Sequence, residues 1–488
     1  MQNIDLYFSD YFNVSPDILD KYGAFNISLI TDLPLFVDPF LLFNSKKREY
    51  QRLHDNIIRY LRFLKDKSTA GLVNPALLKS WYHFSEIKEN WLGFCISGNT
   101  GRVLGGDFAQ ALNENLRKLF SDFGSETVTK GSHLEKLCLI KEGVGRDTIS
   151  DFTTNLIKEY LINYTQTFAK KHIDRSLRRE KAISRVSFNY ETETWQSGIF
   201  DLPILGDKYV LLTPKEILTK DETWINKPDF FRQFDRIPEA IENNQLRAQI
   251  DNYFRTILPK KPTQKDEHRA AAMVALKYPE LFDYYIKYKE DHGDEAVKKS
   301  SLDVVDSKAV YINQFGTLVR MLSEITAFYT FHGNTSEEAL KRIEFLKDVI
   351  ENKGGHRIFY HKGKPITRED DIHILYRLTW FATPSDISRE VNDGRGPVDF
   401  KSSRGSKDKT LVEFKLASNS KLSRNLQKQL EIYKKASDAK NGYKVIFYFT
   451  KQELNRVNRI LKELNMTNDP NVILIDARKD NKPSGSKA

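Results

Sequence analysis

The stretch GPVDFKSSRGSKDKTLVEFK, residues 396–415, constrains the fold more than any other part of this 488-residue chain. Residues 397–402 and 410–416 are short, partly apolar and rich in Val, Phe and Leu, and the polar segment SRGSKDK lies between them. Two such runs about a turn carrying Gly405 and Asp408 read as a β-hairpin. Side chains alternate along a strand, so Glu413 and Lys415 share one face. Val412, Phe414 and Leu416 take the other face and can pack on a core. Pairing across the turn brings Asp399 beside Glu413. Any fold built on this hairpin must bury one face and accommodate two carboxylates and an amine on the other.

Two carboxylates that close repel each other, and one is driven toward protonation. A divalent cation relieves the repulsion, and hard oxygen ligands suit Mg²⁺ or Mn²⁺. Such an ion polarises a phosphate and lowers the pKa of a bound water. Lys415 beside it can orient that water or stabilise charge developing on the phosphorus centre. The plainer reading leaves Glu413 and Lys415 solvated on the open face of an antiparallel sheet.

The flanking segments extend the pattern. Gly396 precedes Asp399 by three, giving G-x-x-D. A helix is predicted over about 422–438, where Gln429 and Tyr433 are four apart and share a face. VIFYF (445–449) reads as a buried strand, 451–464 as a helix and VILID (472–476) as a last strand. Upstream, Thr367 can cap a helix over about 368–381, and 385–392 can form a first strand. This is an α/β sandwich around a mixed sheet.

These residues resemble the PD-(D/E)XK, or restriction-endonuclease-like, nuclease superfamily, whose motif is an acidic residue on one strand and (D/E)-x-K on the next. Pro397-Val398-Asp399 and Glu413-Phe414-Lys415 occupy those positions, and the G-x-x-D and Q-x-x-x-Y elements look like its RecB-like branch. The resemblance covers residues 356–478, roughly a quarter of the chain. It implies an αβββαβ sandwich in which Asp399 and Glu413 bind Mg²⁺, with Mn²⁺ as a substitute. It also implies that Lys415 assists the nucleophilic water and that Gln429 and Tyr433 support catalysis and substrate binding. An acidic residue early in the first helix completes the metal site of many members; Glu369 is the candidate, with Asp370 and Asp371 adjacent. The activity implied is hydrolysis of DNA, in prokaryotic antiphage defence or restriction. A fold retained for binding nucleic acid or a partner without turnover, or an RNA-cleaving enzyme, are the alternatives.

Charge agrees with a nucleic-acid substrate. The chain carries 76 Lys and Arg against 66 Asp and Glu. Between Arg395 and Lys435 eleven basic residues face four acids, three of them Asp399, Asp408 and Glu413. Lys401, Arg404, Lys407 and Lys409 cluster at the hairpin tip, and Lys421, Arg424 and Lys428 follow at the next helix. Phosphate backbones select such surfaces, although exposed lysines are ordinary in a basic soluble protein.

The remaining three-quarters of the chain bounds the answer. Its length calls for two to four domains. No run of about eighteen apolar residues marks a membrane span, and MQNIDLYFSDYF lacks the features of a secretory signal. Cys95 and Cys138 are too few for a disulfide framework or a thiolate zinc site. The expectation is a cytoplasmic protein, with a homo-oligomer or a defence-system partner left open. The ten His residues show no metal-ligand spacing and read as structural or surface.

Residues 1–215 read as a mixed α/β sensor or specificity region and 216–355 as mainly helical, with 227–257, 265–291, 310–332 and 335–352 as helices. Residues 479–488 read as a disordered tail. SGNTGRVLGG (97–106) lacks the G-K-[ST] of a phosphate-binding loop and reads as a turn. GVGRDTISDF (143–152) opens a predicted helix to about 170, where Asp147 and Asp151 read as helix-start acids. Within 145–217, Asp201 and Thr213-Pro214-Lys215 echo the D…x-K arrangement without its central carboxylate. That echo raises the expectation of a degenerate second nuclease-like core.

Overall fold

The structure, a computed structural model, describes residues 5–85, 87–93, 109–110, 112–114, 116, 123–139, 146–220, 222–234, 236–259, 261–323, 333–361, 363–366, 368–380, 386–392, 397–404, 408–427, 439 and 441–482. It is mixed α/β and multidomain, as the sequence predicts. In the N-terminal block, β1 (Leu35–Val37) will pair with a strand far along the chain. Next come α1 (Arg48–Thr69), α2 (Arg146–Leu156) and α3 (Lys158–His172). On α1, Tyr50, Ile57, Leu61 and Leu64 are buried at the three-to-four-residue spacing of one helix face. The predicted helix through 143–170 is two helices, broken at Ile157.

β2 (Arg178–Asn189) and β3 (Thr194–Leu205) form a long antiparallel hairpin, and β4 (Leu218–Lys220) returns to pair antiparallel with β1. The hairpin belongs to a three-stranded, wholly antiparallel sheet. The expected degenerate nuclease-like core at 145–217 is therefore absent. Thr213-Pro214-Lys215 lies outside the strands, and Asp201 is held by Arg175 at 2.9 Å and by Arg178 in a structural ion pair.

The middle of the chain is helical. α4 (Asn244–Ile257), α5 (Gln264–Lys277), α6 (Glu280–Asp291) and α7 (Gly293–Ser307) lead into a π-helical turn over Lys308–Gln314 and then α8 (Phe315–Ser323). The single helix predicted over 265–291 splits at Tyr278, whose backbone is extended (φ −126°, ψ 76°) because Pro279 follows it.

α9 (Thr335–Asn352) is capped by the Asn334 side chain on Glu337 N–H. α10 (Glu369–Thr379) begins after Arg368, which makes no side-chain cap; Thr367, the expected cap, lies outside the described residues. Then come β5 (Asp386–Asn392), β6 (Pro397–Arg404), β7 (Asp408–Leu416), a helix beginning at 422, β8 (Asn441–Tyr448), α11 (Lys451–Glu463) and β9 (Val472–Asp476). The five strands lie in the order β9-β8-β7-β6-β5. β5, β6 and β7 are antiparallel neighbours, while β7, β8 and β9 run parallel. The mixed sheet expected for this region is present, with the first helix and the strands in the expected chain order.

Alternation decides how the sheet is covered. Phe400, Val412, Phe414, Val445 and Phe447 belong to the large core shared with the N-terminal block, whereas Ile446 and Tyr448 pack with Val457 and Leu461 of α11. α10 lies on the Phe400 and Phe414 face through Tyr376, whose ring is 4.9 Å and 4.6 Å from theirs. α9 is bound to the sheet by polar contacts. Thr335 Oγ1 donates to Asp408 Oδ1 at 2.6 Å, and Asp476 N–H donates to Glu351 Oε1 at 2.8 Å. The boundary expected at 356 thus falls inside this unit.

One buried carboxylate joins three elements. Glu338 of α9, 0% exposed, pairs with Arg342 at 2.9 Å and with Arg404 of β6 at 2.5 Å. Arg342, itself 1% exposed, donates to Thr379 O at the C-terminus of α10 and lies 4.6 Å from the Trp380 ring. Glu338→Ala leaves two guanidinium groups without their counter-ion. It should destabilise the protein by about 3–5 kcal/mol, seen as a lower denaturation midpoint; a loss below about 1 kcal/mol would show that this pair is not what clamps the unit.

Candidate functional site

The hairpin forms in the predicted register, from Arg404 opposite Asp408 to Phe400 opposite Val412. Beyond that pair the ladder gives way. Phe414 N–H donates to Asp399 Oδ2 at 2.6 Å, so a side chain takes a backbone donor of β7. Asp399 and Glu413 come together as expected, with Glu413 Oε2 3.4 Å from the Asp399 amide nitrogen.

Lys415 lies at the centre. Its Nζ is 2.9 Å from Glu413 Oε1, 3.5 Å from Asp399 Oδ2 and 3.3 Å from Glu369 Oε2, and it donates to Phe414 O at 2.8 Å. Glu413 and Lys415 are 5% and 6% exposed, which removes the reading of a solvated open face. The three acids at the head of α10 take different positions. Glu369 joins the site, Asp370 lies 3.3 Å from Arg368 and 3.9 Å from His373 Nδ1, and Asp371 accepts from Tyr311 OH at 2.7 Å.

Two further residues join the site. His373, expected with the other histidines to be structural or surface, has its Nε2 3.1 Å from Asp399 Oδ2, with the ring edge-on to Phe400. The available signal was its position four residues after Glu369, on the same helix face. Asn419 donates from Nδ2 to Glu369 Oε1 at 2.9 Å, and that oxygen also accepts from Leu416 N–H at 3.2 Å. No sequence pattern marked Asn419.

Electrostatics splits the carboxylates. Burial alone would raise the pKa of Asp399, but His373, Lys415 and the Phe414 N–H outweigh it and hold the carboxyl well below its usual range. Glu413 goes the other way, raised to about 8 by burial and then by the Asp399 charge, against the opposing pull of Lys415. For Lys415 burial is also the largest influence and lowers its pKa, yet the fields of Asp399, Glu413 and Glu369 together raise it.

The predicted nucleic-acid contacts divide by position. Arg404, opposite Asp408, and Lys409 lie at the hairpin tip, about 17 Å and about 13 Å from Glu413 at ~3.3 Å per residue. Arg404 turns inward to Glu338, and Lys401 and Lys409 are both partly buried. Lys421 and Arg424 are exposed just beyond the site, two and five residues after Asn419. Lys407, Gln429, Lys428 and Tyr433 lie outside the described residues.

Among the described residues no group of three or more His, Cys, Asp or Glu side chains is arranged to hold a metal ion. The donor chemistry nevertheless fits a hard divalent cation. Asp399, Glu413 and Glu369 supply only oxygens, and all three already converge on one positive charge, the Lys415 ammonium.

Residues 13–226 match a family model described as a domain of unknown function, DUF8370, and residues 335–451 match a second, DUF8371. The second match begins at the first residue of α9 and contains Glu369, His373, Asp399, Glu413 and Lys415. No curated protein and no solved structure matches the chain. No helix among the described residues is long and apolar enough to cross a membrane.

A protonated Glu413 makes stability depend on pH. Between its ordinary 4.5 and about 8, the folded state keeps a proton that the unfolded state releases. Its contribution therefore falls as pH rises, by on the order of 1 kcal/mol per unit. Asp399, with an ordinary value of 3.8 and a lower folded one, contributes stability that is lost only as pH falls below that range. Glu413→Gln should thus gain on the wild type in thermal melts from pH 5 to pH 8 without divalent ions. Parallel curves would show that Glu413 is not the proton-holding member.

Proposed function

We propose that this chain is a metal-dependent nuclease that hydrolyses phosphodiester bonds, with DNA as the first substrate to test. The observation that carries the reading is the buried convergence of Asp399, Glu413 and Glu369 on Lys415 at a splayed hairpin. The element order of the C-terminal unit and its mixed sheet support a restriction-endonuclease-like identity.

In this reading Asp399 and Glu413 hold Mg²⁺ or Mn²⁺, with Glu369 as the third oxygen donor. When bound, the ion supplies Lewis acidity and lowers the pKa of a water. The chain's own groups prepare the rest. The contacts of Asp399 with Phe414 N–H and His373 fix its carboxylate. Glu413 would serve as a ligand in its ionised form. The Lys415 ammonium, held charged by its neighbours, donates to the attacking water or to the phosphate oxygens as charge builds. Glu369, with its side chain 24% exposed, lies on the solvent side, and Lys421 and Arg424 extend that side with positive charge suited to a phosphate backbone. A place in antiphage defence or restriction is the context this activity suggests.

A binding protein without turnover is the competing reading, and it draws on one feature: Lys415 occupies the space among the carboxylates. Cleavage of plasmid, linear duplex, single-stranded DNA and RNA, with Mg²⁺ or with EDTA, separates the two. Asp399→Ala, Glu413→Ala and Lys415→Ala should each reduce cleavage by on the order of 10²–10³-fold or more while circular dichroism is unchanged. Cleavage that persists in all three folded variants, or in EDTA, would remove the assignment.

A further inference from the structure

A cavity of about 360 Å³ opens in the N-terminal block, and its walls are aromatic. Tyr22 ends the short helix Pro16–Tyr22, Tyr50 comes from the first turn of α1, and Tyr160 and Tyr164 stand one turn apart on α3. The four rings form a continuous series. Tyr22 and Tyr164 have centroids 4.5 Å apart, Tyr164 and Tyr160 are near-parallel at 5.9 Å, and Tyr160 meets Tyr50 edge-on at 6.0 Å.

The phenols of Tyr22 and Tyr164 are already engaged. Each donates to the other's backbone carbonyl, at 2.8 Å and 3.1 Å. These two residues therefore offer ring surface more than hydrogen bonds. Burial raises the pKa of Tyr50, Tyr160 and Tyr164, Tyr160 to about 12, and the charge of Glu216 adds to the rise in all three.

The charged groups that line the cavity are Lys47, Glu49 and Glu216, an excess of one negative charge. Lys47 shows what the site accepts. Its ammonium is 2.6 Å from Glu216 Oε2 and 5.2 Å from the centroid of the Tyr50 ring. That side chain is 50% exposed, so the chain places its own cation here without locking it in. Aromatic faces are electron-rich and attract cations most strongly where a carboxylate adds to the field. The volume lies within the range of small-molecule sites, roughly 300–1,000 Å³.

We propose that this cavity binds a small organic cation, with an alkylated ammonium head seated against the tyrosine rings and Glu49 and Glu216 as its counter-ions. The site is separate from Asp399 and does not depend on the nuclease reading. Alkyl groups on the nitrogen would lie on ring carbon, while Glu49, and Glu216 as it exchanges Lys47 for the ligand, offset the cost of leaving water. An anionic ligand of the same size meets the wrong sign of charge.

Isothermal titration of the full chain with tetramethylammonium chloride tests this, with sodium chloride at equal ionic strength and adenosine monophosphate as controls. Saturable binding of tetramethylammonium alone is expected. The Glu49→Gln, Glu216→Gln double variant should weaken it by roughly tenfold or more. Tyr160→Leu should abolish it and Tyr160→Phe, which keeps the ring, should retain it. Absence of saturable binding, binding unchanged in the double Gln variant, or preference for the nucleotide would each overturn the proposal.

Discussion

Burying the charge of Lys415 is the constraint around which the C-terminal unit is organised. An ammonium at 6% exposure needs counter-charges within a few ångströms, and no single strand can supply enough of them. β7 gives Glu413, β6 gives Asp399 and α10 gives Glu369, so the sheet and its covering helix must meet at one point. The end of the β6–β7 ladder at Phe400 and Val412 makes the meeting possible, because it frees the Phe414 N–H for Asp399. The result is a strongly unequal pair of carboxyl groups, the pKa of Asp399 held low and that of Glu413 pushed up, a division familiar at acid–base and metal sites.

That arrangement relies on a second buried network. Glu338 pairs with both Arg342 and Arg404, and Arg342 in turn closes the C-terminus of α10 through Thr379 O. α10 is the helix whose first turn carries Glu369 and whose next turn carries His373. That first turn is also tied to the N-terminal block. Asp371 accepts from Tyr311, and the Tyr311 carbonyl accepts from Tyr7 at 2.6 Å. The candidate catalytic helix is thus fixed from both sides, by α9 and by a chain of contacts reaching residue 7.

The aromatic cavity gives the N-terminal block a chemistry of its own. It is built from α1, α3 and the Pro16–Tyr22 helix, within the residues matched by DUF8370, whereas the carboxylate and lysine cluster lies wholly within those matched by DUF8371. The two sites differ in character: one is polar, oxygen-rich and nearly closed, the other aromatic and open to solvent.

The hairpin was legible from residues alone because a period of two and a glycine-bearing turn leave few alternatives to the backbone. Its register, the strand VILID and the helix Thr335–Asn352 followed from the same local rules. The second nuclease-like core failed because a short echo of D…x-K says nothing about which strands pair. The basic hairpin tip divided because spacing cannot tell an outward arginine from one drawn onto a buried glutamate. The separation of Glu369 from Asp370 and Asp371, and the recruitment of His373 and Asn419, came from contacts between residues that are distant in sequence. Sequence by itself determined the strands, their alternation and the meeting of Asp399, Glu413 and Lys415. Tertiary structure decided which other groups reach them, because burial and pairing of charge depend on elements that meet only when the chain has folded.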